Sequence, residues 1–227
     1  MPRAVSQLCV AKVPFFNHLE AEEMKQIANI SKHHTFAKGE VIYHAHDPLE
    51  YLYIVHIGRV KIYQLFESGK EQLLRLLEPG EFFGELALFT EKKLETYAEA
   101  LEKTNICMIH RDNMQQLMIE HPTIALKILE QFSNRLDAAD RLIGDLSVKD
   151  VETRIANYLL ELMRKQATET IHLPMTKRDL ASHLGTTQET ISRRMTTMQE
   201  KGMIKQEGHR KVIIYDAEAL RTIALDD

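Results

Sequence analysis

The sequence predicts an α+β protein: an antiparallel β-barrel or sandwich over residues 1–121, one long dimerisation helix over 122–146, and a winged helix-turn-helix over 147–227. Three observations predict it. Short runs of Val, Ile, Leu, Tyr and Phe between residues 35 and 110 are punctuated by Gly39, Gly58, Gly69, Gly80 and Gly84, the rhythm of strands and turns. Residues 125–146 switch to a seven-residue apolar repeat. Residues 176–200, TKRDLASHLGTTQETISRRMTTMQE, carry the start, turn and stop signals of two short helices.

In chain order, residues 21–31 read as a short amphipathic helix that precedes the strands. The clearest hairpin is YLYIVHI, then Gly58, then RVKIYQ, over residues 51–64. Beyond the strands, Ala125, Leu129, Phe132, Leu136, Ala139, Ile143 and Leu146 alternate spacings of four and three, a heptad seam with no charge in it. Leu129, Phe132, Leu136, Ala139, Ile143 and Leu146 are therefore the expected interface of a homodimer. With Leu129 at position a, Arg135 falls at g and Asp140 at the following e, so a parallel pair of helices would match them on both sides. The competing arrangement is a helix packed on its own barrel, and Ile124, Ile128 and Leu142 are expected to face that way. Asp150 is the N-cap expected for a helix over 151–165, which makes residues 147–150 a hinge.

In the next stretch Thr176 and Asp179 have capping-box spacing, Leu180 and Leu184 have buried spacing, and Gly185 permits the sharp turn. Thr187 caps a second helix that stops at Gly202. At about 100° per residue, Ile191, Met195 and Met198 fall on one arc, while Gln188, Glu189, Ser192, Arg193 and Thr196 fall on another. Side chains of that second set suit base edges: Arg forks onto guanine O6 and N7, and Glu accepts from cytosine N4. A merely solvated polar face is the plainer alternative. Residues 203–215, MIKQEGHRKVIIY, read as a β-hairpin wing beside this helix.

Composition agrees with a globular, two-part chain: 227 residues, 44% hydrophobic and 27% charged. The net charge is −4, yet residues 172–211 hold eight Lys and Arg against four acids. Such a basic patch on an acidic protein implies double-stranded DNA as a partner. Thr176, Lys177, Thr187, Lys205 and Lys211 are the expected phosphate contacts. No 18-residue apolar run and no signal-peptide core occur, so a cytoplasmic protein without a membrane partner is expected.

No nucleophile-elbow setting for Ser, His and Asp occurs, so the chain is not read as an enzyme. Gly39, His44, His46, Glu50 and Gly58 come close to the first metal motif of cupins, with His44 and His46 on one strand face. The Gly-to-His spacing is one residue short and no second motif follows, so surface or core histidines are the better reading and no metal is assigned.

Barrel, dimer helix and winged helix in that order resemble the Crp/Fnr family of bacterial transcription regulators. The residues that carry the resemblance are Gly80-Glu-Phe-Phe-Gly-Glu-Leu-Ala-Leu-Phe, Asp150-Val-Glu-Thr-Arg-Ile-Ala and Gln188-Glu-Thr-Ile-Ser-Arg. The resemblance implies that the strands form an antiparallel β-barrel, a cyclic-nucleotide-binding-like jelly roll, and it implies a homodimer on an inverted repeat and RNA polymerase as a further partner. It makes Glu189, Ser192 and Arg193 the base readers on a TGA-containing half-site, with Gln188 preceding them. It also implies an effector pocket around Gly84, Glu85 and Leu86, in degenerate form. Glu95 and Thr96 stand where cyclic-AMP receptors carry Arg and Ser, and Ala139 and Asp140 where they carry Thr and Ser. A carboxylate facing a phosphodiester is repulsive, so no cyclic nucleotide is expected.

Two cysteines, Cys9 and Cys107, cannot supply the four ligands of an iron-sulfur cluster, so none is expected. The pattern is similar to the two-cysteine Fnr-like branch of the family, and Cys107 matches the barrel cysteine. By that resemblance, Cys9 and Cys107 form a dithiol/disulfide switch. Reduced, unrelated thiols are the default for a cytoplasmic protein, and an unidentified small effector in the barrel is the other alternative.

Overall fold

The computed structural model describes Val13, Phe16, Asn17 and residues 19–48, 50–90 and 93–225, with side chains undescribed at 141 and 145–148. The chain divides into two compact units, Met1–Arg135 and Leu136–Asp227.

The first unit begins with α1 (Ala21–Ile30), closed at its start by a capping box between Glu20 and Glu23. Eight strands follow: β1 (Lys32–Phe36), β2 (Val41–Tyr43), β3 (Tyr51–Ile57), β4 (Val60–Leu65), β5 (Glu71–Leu77), β6 (Phe82–Phe83), β7 (Tyr97–Ala100) and β8 (Thr104–His110). They form two separate four-stranded antiparallel sheets, ordered β1-β8-β3-β6 and β2-β7-β4-β5.

The expected barrel is corrected here, because neither sheet closes on itself. Each keeps two edge strands, β1 and β6 in one, β2 and β5 in the other. Closure would need an unbroken ladder around the whole ring. Here the two sheets share a side-chain core instead. Phe36, Tyr53, Val55, Phe83 and Ile106 come from the first sheet, and Tyr43, Val60, Ile62, Leu77, Ala98 and Ala100 from the second. A strand-and-turn pattern of period two is common to open sandwiches and closed barrels, which is why the sequence did not separate them.

The first sheet is covered on its other face as well. Leu52, Ile54, Phe82, Cys107 and Ile109 pack there with Ile27 of α1 and with two later helices, α2 (Arg111–Glu120) and α3 (Pro122–Val148). Burial on both faces explains why β3 reads as a continuous apolar run. Ile124 and Ile128 of α3 pack on this core as expected, and so does Phe132, which was expected in the dimer seam; Leu142, expected beside Ile124 and Ile128, is half-buried and not part of it.

In the second unit, Asp150 accepts a hydrogen bond from the Thr153 N–H and caps α4 (Val151–Gln166). Then come β9 (Thr170–His172), α5 (Lys177–His183), α6 (Gln188–Glu200), β10 (Ile204–Glu207), β11 (Lys211–Ile214) and α7 (Ala217–Leu225). The wing hairpin β10–β11 gains a third strand, β9, which the hairpin pattern does not foretell. Among the described residues, no helix is long and apolar enough to cross a membrane.

Candidate nucleic-acid interface and regulatory sites

α5 starts where Thr176 and Asp179 exchange hydrogen bonds in a capping box. Leu180, Ala181 and Leu184 are buried beneath it, and Gly185 turns the chain at φ 64°, a left-handed conformation that favours glycine. The Thr187 hydroxyl then accepts from the Thr190 N–H and opens α6. Ile191, Met195 and Met198 are fully buried on one side of α6. Gln188, Glu189, Arg193 and Thr196 are exposed on the other, with Ser192 half-buried among them. Arg194, next in sequence to Arg193, turns away and donates to Glu152 of α4 at 2.9 Å. One arginine thereby serves structure and the other is left outward.

The expected phosphate contacts divide into two groups. Lys205 and Lys211 both engage Glu207, at 2.9 and 2.7 Å, and these bonds depress the Glu207 carboxyl to about 2. Lys177 donates to the Gln206 side chain at 2.6 Å. A cleft of about 250 Å³ lies between the start of the helix pair and the wing, lined by Thr176, Lys177, Arg178, Gln188, His209 and Arg210. Arg178, His209 and Arg210 were not singled out by sequence. Their signal was present in the basic patch, but only the fold brings the wing tip beside the cap of α5.

In the first unit, Gly84, Glu85, Leu86 and Thr96 line a cavity of about 180 Å³ with Tyr43, Ile62, Leu74, Arg75, Phe83 and Leu94. Gly84 sits at φ 76°, and a Cβ there would lie 2.6 Å from the Tyr51 carbonyl oxygen. Glu95, expected in this pocket, instead accepts from Gln64 at 3.5 Å. Glu85 is bound by two guanidinium groups, Arg75 at 3.1 Å and Arg135, and both arginines also donate to the Phe82 carbonyl at 2.9 Å. Arg135 lies over the Phe82 ring, and burial lowers its pKa. The heptad pattern assigns Arg135 to Asp140 of a second copy; in the structure it points inward to Glu85.

On α3, Leu129, Leu136 and Ile143, spaced by sevens, are 59%, 63% and 62% exposed, so the seam is an uncovered apolar stripe. Ala139 is exposed too, Phe132 is half-buried against Phe89, and the Leu146 side chain lies outside the described residues. Cys107, on β8, is fully buried and disulfide-bonded. Cys9 lies outside the described residues.

The cupin-like reading fails on geometry. β2 ends at Tyr43, His44 pairs with Asp47, and His46 occupies a turn at φ 69°, so the two histidines share no strand face. Glu50 lies toward His110, and no group of three metal-binding side chains occurs among the described residues.

Residues 33–121 match the cyclic nucleotide-binding domain family, and residues 153–223 match the Crp-like helix-turn-helix domain family. The chain is 33% identical over 216 residues to a probable transcriptional regulator, flp, of Lacticaseibacillus casei, covering 95% of this chain and 98% of that one. Its fold is similar to FixK2 from Bradyrhizobium japonicum, with TM-score 0.77, 26% identity and coverage of 87% and 99%. A CRP/FNR family transcriptional regulator from Thermus thermophilus is similar at TM-score 0.69 and 27% identity, covering 86% of this chain and 99% of that one.

Proposed function

The chain belongs to the Crp/Fnr family of transcriptional regulators, and from that premise we propose that it reads an inverted DNA repeat as a homodimer, with one α6 in each of two major grooves. The observation that carries this reading is the division of α6 into a buried face of Ile191, Met195 and Met198 and an outward face of Gln188, Glu189, Ser192 and Arg193. On a TGA-containing half-site, Arg193 takes the guanine and Glu189 the paired cytosine. Thr176, Lys177 and Thr187 hold the backbone beside them, with Arg178, His209 and Arg210 from the cleft. The exposed stripe of Leu129, Leu136 and Ile143 supports α3 as the dimer seam. RNA polymerase is the further partner of this reading, and the role is non-catalytic.

The test is selection from a random duplex library by the purified full chain. An inverted repeat with half-site centres about one helical turn apart is expected. Enrichment of direct repeats, or of no sequence at all, overturns the reading.

For the input, the disulfide-bonded state of Cys107 favours thiol redox control, with Cys9 as its partner because the chain has two cysteines. Glu95 in place of an anion-binding residue near the pocket argues against a cyclic nucleotide. Operator binding titrated in a dithiol redox buffer should show one midpoint, lost on Cys9→Ser or Cys107→Ser. Affinity indifferent to redox potential returns the input to a small effector in the 180 Å³ cavity.

A further inference from the structure

We propose that His33 is the hydrogen-bond donor that stabilises Cys107 as the leaving thiolate when a dithiol reductant opens its disulfide. The inference rests on the redox reading above and assigns to it a residue outside the motifs that the sequence displays.

The geometry is a cross-strand pair. His33 on edge strand β1 stands opposite Cys107 on β8 in antiparallel register, and its Nδ1 lies 3.4 Å from the Cys107 Sγ. Sulfur in a disulfide carries no hydrogen, so in this contact the ring nitrogen is the donor and the sulfur the acceptor. The two residues differ sharply in surroundings. Cys107 is 0% exposed and sits in the apolar cluster of Leu52, Ile54 and Ile109, whereas His33 is exposed at the sheet edge.

Burial fixes the direction of exchange. A reductant cannot reach a sulfur with no exposed surface, so its thiolate must attack the partner cysteine's sulfur. The S–S bond then breaks with its electron pair leaving on Cys107. The second thiol of the reductant displaces the partner cysteine, so one dithiol is oxidised to its disulfide and two protein thiols form. The rate depends on the pKa of the leaving thiol. An apolar pocket raises that pKa, and an adjacent N–H donor lowers it. The His33 Nδ1–H is the group placed to do so, and the thiolate, once formed, takes its proton from water.

Desolvation holds the His33 imidazole below its ordinary pKa, which keeps it neutral in the oxidised state. The titratable neighbours on its own strand are engaged elsewhere: Lys32 lies against Tyr51, and His34 against Phe36. Across β8, Ile106 and Met108 flank Cys107 and do not titrate.

The experiment uses the oxidised full-length chain, reduced with excess dithiothreitol between about pH 6 and 9, quenched by alkylation and read by mass spectrometry. His33→Leu removes the donor, and His33→Gln keeps an amide N–H. Reduction of the Leu variant should be about three- to tenfold slower than that of the unmodified chain, with Gln between them. The equilibrium in a dithiol buffer should move toward the disulfide in the same order. A residue that only packs over the bond would give the opposite sign, since loosening it exposes the sulfurs and speeds reduction. Equal rates and equal pH profiles for all three proteins, or faster reduction of the Leu variant, overturn the role of His33 while leaving the switch intact. If the oxidant-treated unmodified chain still alkylates at both cysteines, the redox reading fails and the role falls with it.

Discussion

Arg193 and Arg194 show how neighbours in sequence acquire different work. Arg194 is bonded to Glu152, while Arg193, about 100° round the helix, stays exposed. Arg193→Ala should cost about 1–3 kcal/mol on the specific site and relax the preference at one base pair, measured by anisotropy against single-base variants. Equal losses on specific and random DNA would contradict base reading. The lysines of the wing are expected to behave differently from the arginines of the cleft. Lys205 and Lys211 already share Glu207, so part of their charge is compensated within the protein. Arg178→Gln or Arg210→Gln should therefore weaken all sequences alike and lower the salt slope by about one contact each. Lys205→Gln should lower it less.

At the scale of elements, α3 carries two kinds of apolar residue. Ile124 and Ile128 are buried in the core of the first unit, and Leu129, Leu136 and Ile143 are left uncovered. Leu136→Asp puts a carboxylate into the seam, and burying a charge without a partner is costly. Sedimentation at micromolar concentration should show a dimer for the unmodified chain and a monomer for this variant, with the melting of each unit unchanged. α5 offers a pH-dependent contact. His183, at its last position, packs edge-on to Tyr158 of α4 with ring centres 5.9 Å apart, and desolvation by burial lowers its pKa from 6.5. The unfolded chain then binds the proton more readily than the folded one. Stability of the second unit should be full above about pH 6.5 and fall as the pH drops through the depressed folded value. Thermal melts of the unmodified chain and His183→Gln should diverge above that pH and converge below it. Parallel curves would show that His183 does not titrate on unfolding.

For the whole molecule, the proposed working unit is a pair of chains, with one α6 for each half-site. Changing the half-site spacing by five base pairs, about half a helical turn, should abolish tight binding while leaving each half-site sequence untouched. Gel-shift titration of such a spacing series is the check. Tolerance of any spacing would mean that the two reading helices are not held by a common dimer.

The order of parts was legible from the sequence, because strand, heptad and helix-turn-helix patterns have different periods. Thr176 with Asp179, Gly185, the buried face of α6 and the Asp150 cap were legible for a similar reason, since local hydrogen bonding and helical periodicity act within a few residues. Closure of the strands was not, because an open pair of sheets and a barrel demand the same alternation; only the ladders β1-β8-β3-β6 and β2-β7-β4-β5 decided it. Tertiary structure alone also turned Arg135 toward Glu85, tied Lys205 and Lys211 to Glu207, and brought Arg178 to the wing tip. It set His33 beside Cys107, 74 positions away. Charge and side-chain type are written in the chain, but which charges meet is set by strands and helices that return from far along it.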